Sequence, residues 1–137
     1  MKNRNDTSSD LLNTGVTKGM TKRILIAEDN ESNRDMLSTF ATMLGYDVVV
    51  ANDGVDMLNQ AKDHKFDAII TDLMMAPLDG AAATEILKML GSTTPVIALT
   101  ALSPEEIPLV QDRFTRIFHK PCNFSELFDY IETMPTA

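Results

Sequence analysis

The sequence predicts an α/β fold of three layers, in which five strand–helix units, (βα)5, form a doubly wound parallel five-stranded sheet. Three observations predict it. Short apolar runs rich in Ile and Val recur at Ile24–Ala27, Val48–Ala51, Ala68–Ile70, Val96–Leu99 and Ile117–Phe118, and such runs mark strands buried on both faces. The stretches between them carry apolar residues at helical spacing. Strands that alternate with helices build parallel sheets, and right-handed crossovers cover both faces. The length of 137 residues corresponds to one domain.

Taken in order, residues 1–20 are polar, rich in Asn, Ser and Thr, and without periodicity. They read as a disordered tail, with the folded domain over residues 21–137. After the first strand, Asn30 can cap a helix whose stripe is Leu37, Phe40, Ala41 and Leu44, ending at Gly45. The second strand leads to a shorter, weaker helix around Val55 and Leu58. The third strand precedes a helix with Ala83, Ile86, Leu87 and Leu90 on one face, ending at Gly91. Between the fourth and fifth strands, Pro104–Asp112 is the weakest helical stretch, because Pro108 removes a helical hydrogen bond. A final helix follows, with the stripe Phe124, Leu127, Phe128 and Ile131.

Composition excludes several classes. Twenty acids against 12 bases give a net charge of −8, and residues 1–20 contribute +1, which leaves −9 on the rest. A body so acidic does not fit nucleic acid, whose backbone needs clustered Lys and Arg. No apolar run approaches the ~20 residues that cross a bilayer, and no secretory apolar region follows Met1. Cys122 is the only cysteine. It excludes an internal disulfide and a Cys-based zinc cage, and fits the reducing cytoplasm.

In a doubly wound sheet, function sits beyond the carboxyl ends of the strands, at the switch point in strand order. The first strand ends in Glu28 and Asp29, the third in Asp72, the fourth in Thr100 and the fifth in Lys120. Three carboxylates brought together repel unless one is protonated or a cation binds. Oxygen ligands without His or Cys favour Mg2+, whose remaining water positions suit phosphoryl oxygens. Lys120 can neutralise added negative charge and the Thr100 hydroxyl can donate to it. Asp72 is the candidate nucleophile, since carboxylates form aspartyl phosphates. Taken singly, each residue has a plainer role: the acids as helix caps, Thr100 as a satisfied hydroxyl, Lys120 as a solvated lysine. Together they supply a metal shell, a nucleophile and two phosphate donors.

At these residues the chain resembles the receiver domain of two-component response regulators, a flavodoxin-like fold. The resemblance rests on Ile24–Asn30, on Asp72-Leu73-Met74 leading to Asp79-Gly80, on Ala98–Ala101, and on Lys120-Pro121. It spans about Lys22 to Thr133. It implies that Asp72 accepts a phosphoryl group from a histidine kinase or histidine phosphotransfer protein. It implies too that Glu28, Asp29, Asp72 and the Met74 carbonyl hold Mg2+, that Thr100 and Lys120 contact the phosphoryl group, and that the Lys120–Pro121 bond is cis. Asn30–Arg34 looks most like receivers of hybrid kinases and phosphorelays.

Four features depart from the family's pattern. Ala76 stands where the loop proline is usual, with Pro77 after it, so the loop's conformation is not carried over. Ile117 stands at the place of the switch aromatic, with Phe118 beside it, so coupling through an aromatic rotamer is not carried over either. The stretch from Thr100 to Lys120 is short, lacks the usual glycine and contains Pro108. Met74 and Leu102 occupy the positions that tune dephosphorylation; neither can orient a water, which predicts slow loss of phosphate.

The expected protein is a stand-alone, cytoplasmic receiver, similar to single-domain chemotaxis regulators, that switches a surface read by a downstream protein. It catalyses its own phosphorylation and slow dephosphorylation and is not otherwise an enzyme. A degenerate receiver acting as a binding scaffold without phosphorylation is the alternative. A flavin carrier is disfavoured because Glu28, Asp29 and Glu31 would repel its phosphate. A Mg2+-dependent phosphatase would need an acid just after Asp72, where Leu73-Met74 supply none. His64 and His119 read as structural or surface residues, Cys122 as a buried hydrophobe in preference to a reactive thiol, and Met74 and Met75 as packing beneath the acidic loop.

Overall fold

A computed structural model describes residues 21–103 and 105–135; the tail expected over residues 1–20 lies outside them. Five strands, β1 (Arg23–Ala27), β2 (Asp47–Ala51), β3 (Ala68–Asp72), β4 (Val96–Thr100) and β5 (Arg116–His119), form one sheet in the order β2-β1-β3-β4-β5. All pairings are parallel. Helices α1 (Glu31–Met43), α2 (Gly54–Asp63), α3 (Gly80–Met89) and α4 (Phe124–Glu132) connect and cover it. The chain reverses direction across the sheet between β1 and β3, so the switch point lies where those two strands end.

The strand alternation sorts the core into two layers. Leu25, Ala27, Ile69, Val96 and Ala98 pack with Met57 of α2 and Ala83 and Leu87 of α3. Ile24, Ile26, Ile70, Ile97 and Leu99 face the other way, against Leu37 and Ala41 of α1 and Leu127, Phe128 and Ile131 of α4. Each fully buried Leu, Ile or Phe contributes about 1.5–3 kcal/mol. β3 and β4 are buried along their whole length, as expected for central strands of a parallel sheet.

Each of α1 to α4 starts on an Asn or Asp whose side chain accepts a backbone N–H three residues on: Asn30, Asp53, Asp79 and Asn123. Gly45 and Gly91 follow α1 and α3 at φ 97° and 91°, the left-handed conformation that ends a helix. At the other end of the molecule, the buried Lys22 donates from Nζ to the carbonyls of Ile131 (2.8 Å) and Met134 (2.7 Å), closing the end of α4.

The fold differs from the expectation at one unit. Between β4 and β5 the described residues form two 3-10 turns, Ile107–Leu109 and Gln111–Arg113, in place of a helix. Pro108 lies inside the first turn, where its missing N–H is tolerated in a way a longer α-helix would not allow. Phe114 then anchors the segment in the core.

Candidate functional site

Glu28 follows β1 directly. Its N–H donates to the Ala51 carbonyl of β2 at 3.1 Å, and its carboxylate folds back to accept the Asn30 N–H at 3.1 Å. Asp29 is exposed at the lip of the same turn. Asp72 ends β3, nearly buried. Its Oδ1 accepts the Met74 N–H at 3.1 Å, which fixes the carboxylate against its own loop. Gly80 lets the start of α3 approach this point, because a Cβ there would overlap the Asp72 carbonyl oxygen and the Thr71 hydroxyl. A bare backbone is therefore required behind the acid.

Lys120 reaches the same place from the end of β5. Its Nζ donates to Asp72 Oδ2 at 2.8 Å and to Glu28 Oε1 at 3.1 Å. Its backbone N–H donates to the Thr100 carbonyl at 2.8 Å, which ties β5 to β4 at the rim. The Lys120–Pro121 bond is cis as expected, and so is Ala76–Pro77, in the loop where the sequence departs from the family. Thr100 is buried, and its Oγ1 accepts the Leu102 N–H at 2.9 Å, which leaves the hydroxyl proton free to be donated.

The carboxylates of Glu28, Asp29 and Asp72 offer oxygens all within 4.8 Å of one another. Burial is the largest influence on Glu28 and pushes its carboxyl above the ordinary 4.5, and the charge of Asp72 adds to this. The Asn30 N–H and Lys120 pull it back only in part. For Lys120 burial works toward a lower pKa, but the hydrogen bonds and charges of Asp72 and Glu28 outweigh it, and its pKa lies above 10.5. The site is thus an ammonium shared by two buried acids, with a third acid at the surface. An all-oxygen donor set this close suits a hard divalent cation such as Mg2+.

The structure brings Glu28, Asp29, Asp72 and Lys120 together and sets Thr100 on the strand beside Asp72. Met74 lies two residues past Asp72 but is not packed beneath the loop; the residue is 61% exposed, and of the pair Met75 alone is buried. His119 is exposed, and His64 lies against the Phe66 ring, both outside the acid cluster. Cys122 packs partly buried against the α1–α4 layer. Ile117 and Phe118 face opposite layers. Phe118 stands edge-on to Tyr130, and the Arg116 guanidinium lies 4.7 Å and 4.9 Å from the two ring centres.

One contact escaped the sequence. Arg34 Nη1 donates to the Glu28 carbonyl at 3.0 Å. The Asn-Arg pair in the first turn of α1 was its only signal, and it does not say which backbone oxygen the guanidinium meets.

Residues 24–132 match the profile of a family described as the response regulator receiver domain. The fold is similar to the receiver domain of a sensor histidine kinase from Pseudomonas aeruginosa, solved with a magnesium ion coordinated in the active site cleft. That similarity has a TM-score of 0.78 and 28% identity, over 84% of this chain and 98% of the other. Chemotaxis protein CheY4 of Vibrio cholerae superposes with a TM-score of 0.77 and 28% identity, over 85% of this chain and 100% of the other. In sequence, the chain is 33% identical to the sensor histidine kinase RcsC of Salmonella typhi over 106 residues. That match takes in 76% of this chain and 11% of the kinase, so the chain spans about a tenth of that relative's length.

Proposed function

We propose, from the premise that the chain belongs to the response regulator receiver family of two-component signalling, that Asp72 is its phosphoryl acceptor. A carboxylate oxygen of Asp72 attacks the phosphorus of a phosphohistidine on a histidine kinase or histidine phosphotransfer protein. The new P–O bond forms as the P–N bond breaks, and the imidazole leaves with the bonding pair and takes up a proton. The observation that carries this reading is the Lys120 ammonium 2.8 Å from Asp72 Oδ2, at the edge of a three-carboxylate cluster.

Glu28, Asp29, Asp72 and the Met74 carbonyl are the proposed ligands of Mg2+, which supplies charge neutralisation for the incoming phosphoryl oxygens. Lys120 balances the remaining charge while it keeps Asp72 oriented. The Thr100 hydroxyl can donate to a phosphoryl oxygen once it turns from Leu102, and this displaces the Leu102 N–H from its present acceptor. The aspartyl phosphate brings up to two negative charges into a rim already acidic. That change biases the segment after β4, and a downstream protein reads it. Met74 and Leu102 give no side-chain hydrogen bond to a hydrolytic water, which supports slow dephosphorylation. The only catalysis proposed is of the protein's own phosphorylation and dephosphorylation.

The lone Cys122 supports a cytoplasmic setting. Among the described residues no helix is long and apolar enough to cross a membrane. The test is incubation with Mg2+ and acetyl phosphate or phosphoramidate, followed by intact mass. One added phosphoryl group that is lost in Asp72→Asn and hydrolyses over minutes or longer is expected. No labelling from small donors or from phosphohistidine would leave the scaffold reading in its place.

A further inference from the structure

Resting on that reading of the acids as Mg2+ ligands, a further residue can be assigned to the site. Glu28 and Asp29 are joined by one peptide, yet their carboxylates are held in different ways. Glu28 is nearly buried, and its oxygens accept from Asn30 and Lys120. Asp29 is exposed, and no hydrogen bond to its carboxylate occurs among the described residues. With no partner on the carboxylate, the Glu28–Asp29 peptide is the nearest point at which the position of Asp29 can be held.

The oxygen of that peptide is the acceptor for Arg34 Nη1, at 3.0 Å. Arg34 itself is well anchored. Its N–H donates to the Asn30 carbonyl at 2.9 Å, and the Asn30 side chain accepts the Asn33 N–H at 2.9 Å. The backbone of Arg34 is thus fixed in the first turn of α1, and its guanidinium reaches back to the turn that carries both acids. We propose that Arg34 is a positioning residue for the metal: it pins the Glu28–Asp29 peptide so that Asp29 faces into the carboxylate cluster.

Two physical effects give opposite signs, which makes the assignment decidable. If Arg34 acted only through its charge, it would repel a divalent cation, and its removal would tighten Mg2+ binding. If it acts by orientation, its removal loosens an acid on which a geometrically demanding ion depends. Groups that orient metal ligands typically change affinity by about 10–100-fold when mutated.

The experiment is a titration of the full chain with MgCl2 alone, followed by amide NMR shifts, with urea unfolding of each metal-free variant alongside. Arg34→Ala is expected to weaken Mg2+ about tenfold, and Arg34→Lys, which keeps the charge without the planar fork, to fall between. In an Asp29→Asn background, Arg34→Ala should produce little further loss, because the two changes act through one ligand. Equal or tighter Mg2+ binding by Arg34→Ala would overturn the assignment, as would an undiminished loss in the Asp29→Asn background. If Arg34→Ala does not fold, Arg34→Lys and Arg34→Gln decide in the same way, and parent-like affinity in both overturns it. Absence of Mg2+ binding by the parent protein would instead overturn the proposed metal site itself, and this assignment with it.

Discussion

Lys120 touches both Asp72 and Glu28, whose side chains are 9% and 5% exposed. Replacing it with Met removes the cation and leaves two buried carboxylates facing each other. A broken buried pair of this kind costs about 3–5 kcal/mol, so Lys120→Met should unfold at much lower urea in the absence of metal. The same change removes a charge that competes with a cation, so Mg2+ should recover more stability in Lys120→Met than in the parent. A variant that is destabilised equally with and without Mg2+ would count against the ammonium and the metal sharing one cluster. The roles proposed for Glu28, Asp29, Asp72, Thr100 and Lys120 were approached from the sequence because strand-end positions in a parallel sheet share one edge whatever the details of packing. The contact of Arg34 was not legible, because a side chain that bonds a backbone oxygen depends on a turn whose dihedral angles no periodicity encodes. The placement of Met74 was misread for a related reason: an apolar side chain in a loop has no partner strand to set its face.

At the scale of elements, the strands were legible because runs such as Ile24-Leu25-Ile26 are apolar on both alternating faces, and α1, α3 and α4 because their stripes hold over whole turns. The segment before β5 was not, because 3-10 turns have no sustained period to read. α4 is tied to β2's entrance by the Tyr46 hydroxyl, which donates to Glu132. Burial, with the Glu132 bond and charge adding to it, raises the Tyr46 pKa far above the usual 10.0. A raised acid stabilises the fold fully below its unfolded value and loses that contribution as pH climbs toward the folded one. Absorbance titration should therefore show a tyrosine that ionises only well above pH 10.0, together with unfolding, and Tyr46→Phe should lack this late step. Gly80 makes a second element-level prediction. A methyl group there meets the Asp72 carbonyl, so Gly80→Ala should cost about 1–3 kcal/mol by overpacking in urea unfolding and slow phosphorylation as well, whereas Gly91, whose Cβ would meet open space, should affect stability alone.

On the scale of the whole molecule, a chain of net charge −8 gathers, among the described residues, three acids whose ligand oxygens come within 4.8 Å of one another. Any ligand that binds the native state alone stabilises it by mass action, by about 2.7 kcal/mol at a hundred times its Kd. Mg2+ at that excess should shift the urea midpoint of the parent by the corresponding amount, and the shift should largely vanish in Asp29→Asn. An equal shift produced by NaCl at matched ionic strength would assign the effect to general screening. The cluster also has an order in time. Lys120 lies 92 residues after Glu28 and 48 after Asp72, so a ribosome working at about 5–20 residues per second supplies the acids on the order of seconds before the lysine that joins them. A chain cut short between the end of β3 and the start of β5 carries all three carboxylates and no ammonium between them, so the Lys120 contact forms only after β5 has been made.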